Sequence, residues 1–184
     1  MYEVELKCRA DHETLRARLA DEGATRTESR RQVDSYYSAP HRDFAETDEA
    51  LRIRREEPAT GESVTKLTYK GPLVEAESKT REEHETAVDD DDALAGILSG
   101  LGFEPAFVVK KHRTFYELGA YTVTLDTVEG LGEFVEVERE TDEEGVAAVR
   151  EEAIEVLETL GLDADDQIRT SYLGLLLAAE RDAE

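Results

Sequence analysis

Polar and apolar positions alternate from the second residue onward. Glu3, Glu5 and Lys7 fall at every other position, with Tyr2, Val4, Leu6 and Cys8 between and beside them. Successive side chains of a β-strand point to opposite faces, so this stretch predicts a strand with one charged and one apolar face. The same period returns over 31–38, 50–56, 63–70, 79–88, 107–117 and 121–128, and in a last strand that follows a tight Gly130-Leu131-Gly132 connection. Arg52 and Arg54 oppose Leu51 and Ile53, and Lys66, Thr68 and Lys70 alternate with Thr65, Leu67 and Tyr69. Arg81, Glu83 and Glu85 share a face, as do Lys111 and Arg113. Thr122, Thr124 and Asp126 oppose Tyr121, Val123 and Leu125, and Phe134, Glu136 and Glu138 oppose Val135 and Val137.

Four segments change to a helical period. Asp11 caps a helix that carries Leu15 and Leu19 and ends near Gly23. The run Asp89 to Asp92 caps a second helix through Leu94, Ile97, Leu98 and Leu101, closed by Gly102. Capping and solvation account for four consecutive aspartates better than a metal site does. A long helix is expected over 142–160. A final one from about 165 carries Ile168, Tyr172, Leu173, Leu176 and Leu177. Its leucine stripe reads as helix docking or a homodimer contact, not a membrane anchor. Residues 40–49 read as a loop, 58–61 as a turn and 71–78 as a flexible loop.

An antiparallel sheet with one wet face also alternates, but its polar positions would hold a mixture of short polar residues. Here they hold long charged side chains of both signs, in phase across eight strands. That fits an α+β fold, a closed eight-stranded antiparallel β-barrel with the usual pattern inverted. The lumen is charged, and the apolar outer face is covered by helices. Such a barrel is wide enough for one small ligand. The length of 184 residues predicts a single domain over 1–184.

Composition adds the setting. The net charge of −23 and a pI near 4.5 disfavour nucleic acid and anionic membranes as partners. Arginines number sixteen and lysines six. Acidic excess with lysine discarded fits a surface adapted to high salt, where the Debye length falls to ~3 Å at 1 M, as in a haloarchaeal-type cytoplasm. The lysines that remain (Lys7, Lys66, Lys70, Lys79, Lys110 and Lys111) lie in or beside strands, none of them in a predicted helix. Cys8 is the only cysteine, so no internal disulfide can form, and on an apolar strand face it reads as a small core residue. With no secretory signal at its start and no apolar run near the ~20 residues of a membrane span, the chain is expected to be cytoplasmic.

The lumen charges suggest a ligand. Arginine and lysine suit phosphate oxygens, while glutamates in the same cavity would repel a phosphate chain unless a divalent cation bridged them. Oxygen-only donors point to Mg²⁺ or Mn²⁺, and no cysteine–histidine cluster suggests zinc. Of the histidines, His84 and His112 fall on faces opposite the charged set, and His12 and His41 have no evident partner. Tyr36, Tyr37 and Phe134 could meet a base, although aromatic strand residues are more often core.

The motifs in order are Glu3-Val4-Glu5-Leu6-Lys7, Ala50-Leu51-Arg52-Ile53-Arg54, Lys66 through Pro72, Arg81 through Glu85, Lys110 through Arg113, Leu125-Asp126, Gly130 through Glu138, and Ser171-Tyr172-Leu173. This series resembles the CYTH family, the triphosphate tunnel metalloenzymes. With Asp34-Ser35-Tyr36-Tyr37 it is most similar to the class IV adenylyl cyclase branch. The resemblance implies that Arg52, Arg54, Lys66, Lys70, Lys111 and Arg113 grip phosphates, and that Lys7 and Arg81 orient them. It implies that Glu3, Glu5, Glu136 and Glu138 hold metal, with Asp126 near it, and that Lys7, Glu5, Arg81 and Asp126 are catalytic. The implied activity is conversion of ATP to cyclic AMP and pyrophosphate. The alternatives are hydrolysis of inorganic triphosphate, nucleoside triphosphate or thiamine triphosphate, and binding of triphosphate or polyphosphate without turnover.

Overall fold

The computed structural model describes residues 2–74 and 78–183. Eight antiparallel strands close a barrel in the order β1-β5-β4-β3-β2-β6-β7-β8, with β8 returning to β1. They are β1 (Tyr2–Arg9), β2 (Thr25–Ser38), β3 (Ala50–Pro58), β4 (Val64–Leu73), β5 (Arg81–Val88), β6 (Glu104–Leu118), β7 (Tyr121–Val128) and β8 (Gly132–Thr141). The helices are α1 (His12–Asp21), α2 (Phe44–Thr47), α3 (Asp91–Gly100), α4 (Val146–Thr159) and α5 (Tyr172–Asp182).

The inverted pattern holds. Val4, Leu6 and Cys8 of β1 join Val123, Leu125, Val135 and Val137 in one outer cluster, which Leu15 and Leu19 of α1 and Val149, Ala153 and Leu157 of α4 cover. A second cluster joins Tyr37, Leu51 and Ile53 to Leu98 of α3. A third holds Val109, Val128 and Phe134 against Tyr172, with Leu173 and Leu176 packed beside it. Leu173 and Leu176 of the α5 stripe therefore dock the helix, whereas Leu177 is exposed. Asp11 and Asp90 cap their helices as expected, each accepting a backbone N–H at 2.8 Å.

Several boundaries differ from the sequence reading. β6 begins at Glu104, ahead of 107, where Glu104 and Pro105 pair with Ser38 and Tyr37, and β2 begins at Thr25, ahead of 31, because Thr25–Arg30 pair with Arg113–Glu117. Thr25–Arg30 are polar and largely exposed, so no alternation marks them. The loop expected at 40–49 contains α2. The final helix does not begin near 165: a 3₁₀ turn at Ala164–Asp166 comes first, and α5 starts only at Tyr172. The N–H of Ile168 donates to the Lys7 carbonyl at 2.7 Å, and Lys7 Nζ donates to the Thr170 carbonyl at 2.7 Å. These bonds hold the segment extended until Ser171 Oγ caps α5 by accepting from the N–H of Gly174. Of the loop expected at 71–78, Gly71–Leu73 extend β4, and residues 75–77 lie outside the described residues.

Candidate functional site

The barrel encloses a cavity of about 560 Å³. Ten basic side chains and ten acidic ones line it, contributed by β1–β6, β8 and the residues just before β3 and β5. Strand register sets the charge pattern. Lys7 stands opposite Glu136, Lys70 opposite Glu83, and Asp34 opposite Arg54. Nearly every predicted site residue is brought to this lumen: Glu3, Glu5, Lys7, Arg52, Arg54, Lys66, Lys70, Arg81, Lys111, Arg113, Glu136 and Glu138 all line it.

Asp126 is the exception. It is fully buried beneath cavity-lining side chains and does not itself line the cavity. Its Oδ1 accepts from Arg113 Nε at 2.6 Å, and its Oδ2 accepts from Lys111 Nζ at 3.3 Å and from the Tyr172 hydroxyl at 2.9 Å. Burial pushes the Asp126 carboxyl up, but Arg113 and Lys111 outweigh it and keep the group ionised below the usual carboxylate range. Asp126 therefore orients two cations, Arg113 and Lys111, that themselves line the cavity. On β2, the strand beside β6, Asp34, which sequence reasoning noted only within a motif, does the same for other cations. Arg54 donates to it through Nε at 2.6 Å and Nη2 at 2.7 Å, and Arg52 approaches at 3.5 Å. Its position in phase with Gln32 and Tyr36 on β2 was the available signal, since those residues line the lumen. Gln32, Glu56, Lys79 and Tyr172 were missed as lining residues.

The acidic wall has a different character. Oxygens of Glu5, Glu136 and Glu138 lie within 4.8 Å of one another. The β1–β8 register sets Glu5 directly opposite Glu138, a like-charge pairing that a strand pair ordinarily avoids. Burial raises Glu138 to about 8, with the nearby Glu3 adding to the effect. Burial also acts on Glu136, but Arg113, Lys111 and Lys7 hold it well below the usual range. Buried Glu5 Oε1 has no hydrogen bond among the described residues, and its nearest cation, Lys79 Nζ, stands at 3.8 Å. Three crowded carboxylates, one orphaned oxygen and one group forced towards protonation form a donor set that fits a hard divalent cation. Glu3 stands apart from this group, as its carboxylate accepts from Lys70 Nζ at 2.7 Å.

Two lysines are poised unusually. Burial, with Lys79 adding, lowers Lys7 to about 8. Burial and Arg113 lower Lys111 to about 8. Both ammonium groups sit over the Tyr172 ring, at 4.4 and 5.0 Å from its centroid. Arg81 donates to the Asp48 carbonyl at 2.5 Å and to Asp48 Oδ2 at 2.8 Å, tying the β2–β3 connection to the tunnel. Asp48 is held in the left-handed region, with φ of 54°.

His84 and His112 are exposed, as their positions on the outward faces require. His12 does have partners: its Nε2 lies 2.9 Å from the Phe134 carbonyl, and its backbone N–H donates to Glu133. Tyr36 lines the lumen, whereas Tyr37 and Phe134 are core. Cys8 is buried and free. No helix among the described residues is long and apolar enough to cross a membrane.

A provisionally named adenylate cyclase from Methanocaldococcus jannaschii is 38% identical over 177 residues, spanning 95% of this chain and 98% of that protein. The adenylate cyclase CyaB of Aeromonas hydrophila is 31% identical over 174 residues, covering 93% of this chain and 86% of its own. A solved structure from Pyrococcus horikoshii superposes with a TM-score of 0.89 at 37% identity, covering 96% of this chain and 99% of that one. The family model for the CYTH domain matches residues 1–172, and the chain belongs to the CYTH family.

Proposed function

We propose that this protein is a divalent-metal-dependent enzyme acting on a nucleoside triphosphate in its tunnel, converting ATP to cyclic AMP and pyrophosphate. The observation that carries this reading is the carboxylate trio Glu5, Glu136 and Glu138 facing the arginines and lysines of the other strands inside one closed cavity. The relatives named adenylate cyclases favour ATP and cyclisation. Arg52, Arg54, Lys66, Lys70, Lys111 and Arg113 grip the phosphates, while Lys7 and Arg81 hold their neighbours in place. Glu5, Glu136 and Glu138 hold the cation, with Glu3 set against Lys70 at the edge of the group. Mg²⁺ or Mn²⁺ bound there would neutralise charge on the phosphate chain.

In the reaction the ribose 3′-oxygen bonds to the α-phosphorus, the bond from that phosphorus to the β-bridging oxygen breaks, and pyrophosphate departs. The 3′ proton passes to a tunnel base, for which Glu5, with its unbonded oxygen, is the candidate. The basic wall takes up the charge of the leaving pyrophosphate, so the protein supplies mainly position and electrostatics. Asp34 and Asp126 act only through the cations they orient.

Incubation with ATP and Mg²⁺ or Mn²⁺, followed by product separation, tests the proposal. Cyclic AMP with an equal amount of pyrophosphate is expected. Orthophosphate release would replace the cyclase with a triphosphatase, and tight binding without turnover would leave a sensor.

A further inference from the structure

The tunnel's cations are anchored in two different ways. Arg54 and Arg113 are held by Asp34 and Asp126, which lie beneath the lining and leave the lumen side of each guanidinium free of carboxylate from that anchor. At the end of the cavity away from α5 the anchors stand in the lumen itself. On β6, Val109 packs against Tyr172 of α5, and Lys111, Arg113 and Phe115 lead away from it. Arg30 stacks on the Phe115 ring at 4.7 Å. In the same direction β2 runs from Asp34 through Gln32 to Arg30, and β3 from Arg52 through Arg54 to Glu56.

Two lining carboxylates hold the cations of this far end. Glu56 accepts from Arg30 Nη1 at 2.5 Å and from Gln32 Nε2 at 2.8 Å. Lys66 Nζ lies 3.5 Å from Glu56 and 2.9 Å from Glu85, and Glu85 also accepts from the Thr68 hydroxyl at 3.0 Å. Arg30 is engaged a second time by Glu28. Burial pushes the Glu56 and Glu85 carboxyls up, but Lys66 outweighs it in each, so both stay ionised. The Lys66 and Glu85 side chains are 28% and 31% exposed, so this end of the tunnel reaches water. Charge, not a wall, is what a lengthening phosphate chain meets there. The other end offers no such room, because the Tyr172 ring stands over Lys7 and Lys111.

We propose that Glu56 and Glu85 set the length of the phosphate chain that the tunnel accepts, admitting a triphosphate and rejecting a tetraphosphate. The inference rests on the tunnel being the phosphate site. Lys66 is the last cation that a terminal phosphate reaches. A further phosphate would meet the two carboxylates that flank Lys66, and Arg30 beyond them is already bound. Like charges brought together out of bulk water oppose binding strongly, so these two glutamates are specificity-determining residues.

The test is calorimetric titration of the full-length chain in molar KCl with Mg²⁺. The ligands are methylene-bridged analogues of inorganic tripolyphosphate and of linear tetrapolyphosphate, which cannot be hydrolysed. Wild type should bind the longer chain about tenfold more weakly than the shorter. Glu56→Gln and Glu85→Gln should each tighten the longer chain about tenfold and the shorter by no more than about threefold. Glu57→Gln makes the same change of charge on β3, at a residue that pairs with Arg31 and does not line the tunnel. It should move neither chain by more than about twofold. Equal binding of both chains by wild type would overturn the assignment. So would Glu56 and Glu85 variants that keep the wild-type difference or tighten both chains alike, or a Glu57→Gln that matches them. Retained binding of the shorter chain shows that each variant is folded, and Glu85→Gln alters a partly exposed position in case Glu56→Gln strands Arg30. A wild-type chain that binds neither ligand would instead overturn the phosphate reading of the tunnel.

Discussion

Replacing Asp34 by asparagine removes one charge and no volume, from a position 2% exposed. In the native protein burial pushes the Asp34 carboxyl up, but Arg54 and Arg52 outweigh that effect and hold it far below the ordinary value, so it is a full anion at neutral pH. Asparagine keeps one acceptor oxygen, so only one of the two short bonds from Arg54 survives. Its amide protons face a guanidinium that also donates. A hydrogen bond to a charged group contributes about 1.5–3 kcal/mol, and stranding one member of a buried ion pair costs about 3–5 kcal/mol. With one bond retained, the lower end applies, about 3 kcal/mol, with Arg52, Arg54 and Lys111 left mutually repelling. At about 2–4 °C per kcal/mol for a chain of this size, Asp34→Asn should melt roughly 6–12 °C below wild type. Scanning calorimetry measures the loss, and two controls isolate its cause. Asp34→Asn/Arg54→Gln should recover part of it, because the stranded cation is gone. Tripolyphosphate should raise the melting temperature of Asp34→Asn by more than that of wild type, since an anion in the tunnel restores the missing charge. A variant within 1 °C of wild type, or a double variant less stable than the single one by the full cost of Arg54→Gln alone, would refute this account of the basic wall.

Three further outcomes follow from the same electrostatics. The wild-type advantage over Asp34→Asn should be intact above pH ~4, the unfolded aspartate value, and shrink as pH falls below it towards the depressed folded value. Urea melts of both proteins at pH 7, 4 and 3 check this, and a difference that does not shrink by pH 3 contradicts the assignment. Glu138→Gln removes a carboxylate that burial and Glu3 hold at about 8. At pH 8.5 in chelator it should stabilise the protein by about 1 kcal/mol, and it should lower Mg²⁺ affinity by calorimetry; a destabilised variant in chelator would be inconsistent with a strained acidic wall. The melting temperature should climb between 0.1 and 2 M KCl as screening relieves outer-surface repulsion, and equal melting in both would count against the high-salt reading.

Much of this architecture is legible because one physical rule, period-2 alternation, operates in every strand. An inverted barrel leaves that rule intact and changes only which face is wet, so the in-phase charges from Glu3 to Glu138 identify the lumen before any coordinates do. What alternation cannot supply is who faces whom. Asp126 reads from its position like any other lumen residue, yet β6–β7 register sets it opposite Arg113, and Arg113, Lys111 and Tyr172 cover it. Asp34 lies in the same relation to Arg54 across β2–β3. Both are buried aspartates whose role depends on a neighbouring strand distant in sequence. The extra length of β2 and the extended run before α5 were hidden for a related reason, since cross-strand and main-chain bonds to Lys7 hold them without any apolar period.

The charge balance of the molecule separates along the same line. The cavity carries ten basic and ten acidic side chains, so its formal charge is near zero. The remaining twelve basic and thirty-five acidic residues of the sequence account for the whole net charge of −23. Total charge therefore says nothing against an anionic ligand. The cavity, closed by backbone hydrogen bonds on every strand, meets a phosphate chain with its own local field. Within it the cations are pinned by Asp34 and Asp126 and Glu136 pairs with Arg113, while Glu5 and Glu138 are left under-compensated. An enzyme that must bind a polyanion through a cation needs that asymmetry: positive groups fixed in advance, and negative groups that only an incoming metal can satisfy.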